Sequence, residues 1–240
     1  MAKKKLPVKN HGHFIAVLLL FSGFSLYALT SFFSSTNDYL DNMVVSVVAN
    51  PSAVVEEVSM GYVFTDVRKD YKYVKAIEAL YSAGIIDGYE DGTFKPNLTS
   101  NRAEFLATVT TAVDADFGGK VLKNCFSDVK EDWYAPFVCY AKDAEWITGY
   151  GNGDYKPANP IRRAEALKIV FEAFNYSSCE EVAEEPYPDV TIDSWYAPYA
   201  CAAKRDGIIS KMGSFNSTSE VTRAHVADMI YKVMERKGLL

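Results

Sequence analysis

Three arginines and four cysteines are the side chains whose types and spacing point to chemistry in this chain. Arg102, Arg163 and Arg223 each open an Arg-Ala pair, at periods of 61 and then 60 residues. An aromatic residue, Phe94, Tyr155 or Phe215, stands eight positions before each of them. Asn101 and Glu104 flank the first pair in the spacing of a helix capping box. Thr222 and His225 make half of such a box around the third, and around the second Arg162 stands where the cap should be, ahead of Glu165. The caps degrade along the chain while the arginines persist, and capping alone does not require arginine at the first helical position. A guanidinium presents a fixed fork of donors, suited to holding an anion or to bridging to an acid of a neighbouring unit.

The cysteines are Cys125, Cys139, Cys179 and Cys201. Cys139 and Cys201 end two copies of one segment, Trp133-Tyr-Ala-Pro and Trp195-Tyr-Ala-Pro followed by two residues and cysteine. Each has one candidate partner upstream in its own unit, so the expected pairs are Cys125–Cys139 and Cys179–Cys201. No C-x-x-C spacing and no nearby histidine favours a metal site, and none is expected. Catalysis is not expected either. After the N-terminal segment the sole histidine is His225, and no Gly-x-Ser-x-Gly, His-Glu-x-x-His or phosphate-loop motif occurs. The loop at Asp87–Gly92 resembles the start of a calcium loop, but Tyr89 takes a ligand place and Leu98 the place of the required glutamate. No cofactor is called for.

The elements that position these residues recur three times. The anchors Phe64-Thr-Asp-Val67, Phe126-Ser-Asp-Val129 and Tyr187-Pro-Asp-Val190 each precede an apolar helical stretch, a turn, the aromatic-led loop and the arginine. In the first helix of repeat one, Val74, Ile77 and Tyr81 share a face and Gly84 marks the stop. The second helices carry the stripes Phe105, Leu106, Val109, Val113, then Leu167, Val170, Phe171, Phe174, then Ala227, Ile230, Tyr231, Met234. A helix pair of this size cannot bury both stripes alone, so the repeats, at 63–113, 124–175 and 185–236, should pack together.

The chain of 240 residues is 49% hydrophobic and 14% aromatic, the composition of a folded protein. Residues 14–33 are apolar and uncharged, long enough to cross a bilayer as a helix. With the basic flank 1–13 inside, they read as a transmembrane signal anchor, or else a signal peptide. Either exports the repeats, and the anchor makes the cytoplasmic membrane a partner. Residues 34–62 read as a valine-bearing linker. Beyond residue 33 the chain holds 21 basic and 31 acidic residues, which argues against a nucleic-acid partner.

Gly88-Tyr-Glu-Asp-Gly-Thr-Phe-Lys-Pro96 with Asn101-Arg-Ala-Glu104 closely resembles the signature of the S-layer homology (SLH) module. So does Gly149-Tyr-Gly-Asn-Gly-Asp-Tyr-Lys-Pro157 with Arg163-Ala-Glu165, whereas the third copy lacks the Asp-Gly turn and the proline. The resemblance implies an all-α fold: three tandem helix-loop-helix modules forming a pseudo-threefold, three-pronged unit with grooves between modules, here preceded by one transmembrane helix. It implies non-covalent anchoring to the cell envelope through an anionic, often pyruvylated, secondary cell-wall polysaccharide. The alternative is docking onto an S-layer or envelope protein. By position the ligand contacts are Arg102, Arg163 and Arg223, where a helix N-terminus would add backbone donors for the anion. Trp133 and Trp195, with Tyr89 and Tyr150 beside the turn glycines such as Gly92, are candidates for stacking on sugar rings. Lys72 lies near the tryptophan position in repeat one and the turn is missing in repeat three, so one or two competent grooves are expected. Non-reducing peptide mapping should return Cys125 joined to Cys139 and Cys179 to Cys201; a Cys139–Cys201 peptide would sink that pairing.

Overall fold

The aspartate of each anchor organises its repeat. Asp66 accepts hydrogen bonds from the backbone N–H groups of Phe94 and Lys95 at 2.7 and 2.8 Å. Asp128 does the same for Tyr155 and Lys156 at 2.8 and 2.7 Å, and Asp189 for Phe215 and Asn216 at 2.7 Å each. The second residue of every pair is left-handed, with φ of 56° at Lys95, 60° at Lys156 and 53° at Asn216. That conformation costs a non-glycine residue roughly 1–2 kcal/mol, which paired hydrogen bonds to a carboxylate offset. The anchor aromatic then packs on the loop aromatic: Phe64 on Phe94, Phe126 on Tyr155 and Tyr187 on Phe215, with centroids 5.3, 5.5 and 5.6 Å apart. The approach is close enough to require glycine at 149, where a Cβ would lie 2.3 Å from the Phe126 ring.

The computed structural model describes residues 63–120 and 122–240. They form six helices: α1 (Val74–Ser82), α2 (Arg102–Ala112), α3 (Ala135–Asp143), α4 (Arg163–Ala173), α5 (Ala197–Arg205) and α6 (Arg223–Arg236). Among the described residues there is no strand, only isolated bridges such as Thr99 with Thr222, so the class is all-α. Residues 1–13, 14–33 and 34–62, expected to be basic flank, membrane anchor and linker, lie outside the described residues. No helix among the described residues is long and apolar enough to cross a membrane.

The first helix of each repeat stops in the same way. Ile85 N–H donates to Leu80 O, Trp146 to Ala141 O and Ile208 to Ala203 O, all at 2.9 Å. These bonds span a left-handed residue, which is glycine at 84 and 207 but Glu145 in repeat two. In α1 the buried residues are Ala76, Ile77 and Leu80 rather than the expected Val74, Ile77 and Tyr81. Tyr81 instead turns its ring edge onto Phe64, at 5.0 Å, and stays partly in solvent. The stripes of the second helices are buried as their spacing predicts, Val113 only partly.

The repeats are joined through the starts of the second helices. Arg102 and Ala103 donate their backbone N–H groups to Asn159 O and Pro157 O at 2.9 and 3.0 Å. Arg163 and Ala164 donate to Ser219 O and Ser217 O at 2.8 and 3.0 Å, and Arg223 and Ala224 to Leu98 O and Pro96 O at 2.9 and 3.1 Å. Repeat one thus binds two, two binds three, and three binds one, closing a ring. Helix packing follows the same cycle, α2 on α3, α4 on α5 and α6 on α1, while α2, α4 and α6 also touch one another. Disulfides Cys125–Cys139 and Cys179–Cys201 tie the entry of repeats two and three to α3 and α5. Loops closed at separations of 14 and 22 residues are worth about 3 kcal/mol each in the chain-entropy account.

The caps differ from the expectation at one place. The α2 box is complete: Asn101 Oδ1 accepts from Glu104 N at 2.8 Å, and Glu104 accepts from Asn101 N at 3.2 Å. In α4 only the Glu165 half exists, accepting from Arg162 N at 3.2 Å, because a guanidinium has no acceptor to return. In α6 the box is complete rather than half made. Thr222 Oγ1 accepts from His225 N at 3.4 Å, and the imidazole Nδ1 accepts from Thr222 N at 3.3 Å, doing a carboxylate's work.

Asp128→Ala should lower the unfolding free energy by roughly 2–3 kcal/mol, since two loop N–H groups lose a charged acceptor; urea unfolding measures this, and a change within error removes the aspartate from its organising role. Burial, reinforced by Arg163 and Lys72, holds His225 below the ordinary imidazole range. The unfolded chain therefore takes up the proton first. The stabilisation is complete above the unfolded midpoint, about 6.5, and fades as pH falls through the lower folded value. Urea midpoints measured from pH 8 to 5 should fall more steeply for the native protein than for His225→Gln; matching slopes would refute the assignment.

Candidate functional site

Each of the three arginines crosses a seam between repeats and caps the loop of the next. Arg102 Nε donates to Tyr155 O at 2.9 Å, and Arg163 Nη1 to Phe215 O at 2.6 Å. Arg223 donates through Nε to Phe94 O at 2.8 Å and through Nη2 to Asp87 O at 2.7 Å. The arginines are therefore bridges, and the bridged groups are chiefly backbone carbonyls rather than acids. Two of the guanidiniums also lie against rings: Arg102 Cζ is 4.4 Å from Tyr155 and 5.2 Å from Tyr150, and Arg223 Cζ is 4.5 Å from Phe94 and 5.1 Å from Tyr89. The expected helix N-terminal donors are not free for a ligand. The first two N–H groups of α2, α4 and α6 are spent on the neighbouring loop. What an anion can meet at these helix starts is the remaining face of the guanidinium.

The seam at Arg102 opens into a cleft of about 260 Å³ built by all three repeats. Arg102 comes from repeat one; Trp146, Tyr150, Glu165 and Lys168 come from repeat two; Trp195 comes from repeat three. Arg102 is 5% exposed, and its Nη1 lies 3.1 Å from Glu165 Oε1. That contact is within ion-pair range but misaligned, so Nη1 is a buried donor with no hydrogen bond among the described residues. Lys168 Nζ donates to Trp146 O at 3.0 Å at the same cleft. Trp195 is 56% exposed, with the Tyr196 ring edge-on to it at 5.3 Å. The arrangement offers two cations, one carboxylate acceptor and an open indole, the set that a sugar bearing an acidic group needs.

The seam at Arg223 holds a cleft of about 200 Å³ lined by Asp87, Phe94, Glu104, Thr108 and Arg223. Ala107 stands there where Lys168 stands in α4, so the lysine is missing. Trp133, on the approach to α3, is 61% exposed. At the third seam His225 stands at the helix position of Glu104 and Glu165, and the loop between Gly207 and Phe215 carries no aromatic residue. Tyr89 and Tyr150 are less open than their positions suggest. Lys95 Nζ sits 3.8 Å from the Tyr89 ring and Lys156 Nζ 4.6 Å from Tyr150, in addition to the guanidinium beside each. Gly92 serves the turn, with φ of 75° and its carbonyl accepting from Thr65 N at 3.0 Å.

Sequence reasoning did not single out Lys168 or Trp146, because nothing in the repeat pattern repeats them. The anchor aspartates did recur visibly, but their bonding partners lie 26 to 29 residues away.

Comparison with known proteins agrees with this geometry. The S-layer homology domain profile matches residues 63–106, 126–167 and 186–227. The chain is 36% identical over 108 residues to the Middle cell wall protein of Brevibacillus brevis, covering 44% of this chain and 10% of that protein. It is 28% identical over 192 residues to the Surface-layer 125 kDa protein of Lysinibacillus sphaericus, covering 77% of this chain and 16% of that one. Over 136 residues it is 26% identical to the Cellulosome-anchoring protein of Acetivibrio thermocellus, covering 55% and 30%. The chain thus spans less than a third of the length of these relatives. With its threefold repeat, its three arginine-capped seams and a match in every repeat, the chain belongs to the S-layer homology domain family.

Proposed function

We propose that this chain is a non-catalytic envelope anchor whose three modules, arranged as a pseudo-threefold, three-pronged unit, bind an anionic secondary cell-wall polysaccharide. The observation that carries the reading is the cleft at Arg102, where a buried guanidinium with an unused donor faces Lys168 beneath an exposed Trp195. A pyruvyl carboxylate on a sugar would take the Arg102–Lys168 edge while Trp195 covers the ring face and Glu165 accepts from a hydroxyl. The cleft at Arg223 has no such lysine and serves as the weaker site. Names such as cell wall protein, surface-layer protein and cellulosome-anchoring protein among the relatives support an envelope location. Residues 14–33 would hold the other end in the cytoplasmic membrane, making the protein a tether between membrane and wall.

The test is retention of the full chain, in detergent, on purified cell-wall sacculi with and without chemical stripping of the secondary polymer. Trp195→Ala and Lys168→Ala are the informative variants, because both residues line the cleft without closing the ring. Each should weaken retention about tenfold, the loss of roughly 1.4 kcal/mol, and stripping should abolish it. Retention that survives stripping, with both variants unchanged, would replace the glycan with an S-layer or envelope protein partner.

A further inference from the structure

The clefts at Arg102 and Arg223 are built from the same positions of successive repeats, and the exchanges between them run one way. Where the Arg102 cleft is lined by Thr148, Lys168 and Ile169, the Arg223 cleft is lined by Asp87, Ala107 and Thr108. A cation is lost, a carboxylate is gained, and an apolar side chain becomes a hydroxyl. The Arg102 cleft therefore holds two cations, Arg102 and Lys168, and one carboxylate, Glu165. The Arg223 cleft holds one cation and two carboxylates, Asp87 and Glu104.

The other polar groups of the Arg223 cleft add acceptors. Thr108 Oγ1 donates its proton to Glu104 O at 3.0 Å and Thr111 Oγ1 donates to Ala107 O at 2.9 Å, so what both hydroxyls have left is lone pairs. Glu104 Oε2 accepts from Asn101 N in the cap at 3.2 Å, which leaves Oε1 without a partner among the described residues. The Asp87 carboxylate has none among them either, while its carbonyl takes Arg223 Nη2 at 2.7 Å. Arg223 thus spends Nε and Nη2 on the carbonyls of Phe94 and Asp87 rather than on either acid. Ser100 lines the same cleft and is 4% exposed; its Oγ reaches Asn101 O at 3.5 Å, longer than a well-formed O–H···O bond. A buried hydroxyl without a close partner is left for whatever occupies the cleft.

We propose that the Arg223 cleft takes the protonated amine of an amino sugar; the assignment rests on the reading of the seams as glycan clefts. An ammonium brings three N–H donors and no acceptor, the complement of two carboxylates and two hydroxyls with only lone pairs to offer. N-acetylation of the same sugar removes the charge and two of the donors. An acidic sugar meets the reverse of what it needs, a guanidinium already turned to the loop beside two like charges. Lys95 of that loop is no substitute cation, since it pairs with Asp91 at 3.4 Å and lies over the Tyr89 ring. The two clefts ask for opposite charges, and a wall glycan carrying both an acidic and an amino sugar satisfies both.

The experiment is calorimetric titration of the full chain, in detergent, with a glucosamine trimer and with its fully N-acetylated counterpart, at slightly acidic pH where the amines are protonated. The amine form should bind about tenfold more tightly than the acetylated form. Asp87→Asn and Glu104→Gln each remove a charge and keep an acceptor, and glutamine still serves a capping box; together they should abolish the preference. Ala107→Lys, which installs the lysine of the Arg102 cleft, should abolish it alone. Removing acids and adding a cation are two routes to one loss, so the test stays readable if either variant folds poorly. Equal affinity for the two oligomers, or no binding of either, would overturn the assignment. So would a preference for the amine that survives the paired Asp87→Asn and Glu104→Gln variant, since the acidic surface in general would then be its source. Sacculus retention reads the wall polymer and oligomer titration reads this cleft, so the anchor reading and the amine assignment can fail separately.

Discussion

The first backbone N–H groups of a helix have no acceptor within the helix, and in a packed protein they must find one elsewhere. In this chain the second helix of each repeat sends two of them to the loop of the following repeat, and that transfer dictates the rest. The receiving carbonyls must stand at a fixed height, which is why the anchor aspartate grips two consecutive loop N–H groups and accepts a left-handed residue there. The arginine beginning the helix lies over the same loop and fills the carbonyl of its aromatic residue. One repeat, or two, would leave a pair of donors and a pair of carbonyls facing water. Three bring the last helix back to the first loop and satisfy all of them.

The clefts are by-products of this closure. Each seam takes its arginine from one repeat and its loop from the next, and at the Arg102 seam Trp195 of the remaining repeat also lines the cleft. The side chains lining a cleft can therefore vary from seam to seam without touching the ring. Ala107, Lys168 and Asp228 occupy one helix position in the three repeats, and none of them contributes to the crossing hydrogen bonds. The same holds for Lys72, Trp133 and Trp195. A structural repeat thus carries unequal cleft linings, and the inequality is written in residues that the repeat leaves free.

What could be seen in the sequence was whatever is local. The period, the capping residues around Asn101, the buried stripes of α2, α4 and α6 and the cysteine partners all rest on neighbours within a few residues or on copies of one segment. What could not be seen was long-range. Arg223 meets Phe94 across 129 residues and Asp87 across 136, and the acceptors are carbonyls, which carry no side-chain signal. A guanidinium read alone suggests an anion or an acid as partner, and nothing in the sequence marks a carbonyl as a further one. His225 shows the same limit at short range: an imidazole nitrogen took the part of a glutamate oxygen, a substitution of function that residue type conceals. Tyr81 shows the limit of periodicity, since a helix face is selected by what packs against it.

The distribution of cross-links has a mechanical consequence. The disulfides fasten the entries of repeats two and three, while the first helix of repeat one, α1, has no such bond and meets α6 through packing, the exposed ion pair of Lys75 with Glu235 at 3.1 Å and the Lys75 ammonium over the Tyr231 ring. A pull applied at residue 63 is therefore carried first by α1 and its seam with α6, where nothing covalent resists, while the segments between bonded cysteines cannot be drawn out. The Arg102 cleft takes most of its wall from repeat two and its open indole from repeat three, both on the cross-linked side. Mechanical yielding therefore starts at α1, away from the Arg102 cleft, whose walls come chiefly from the two cross-linked repeats.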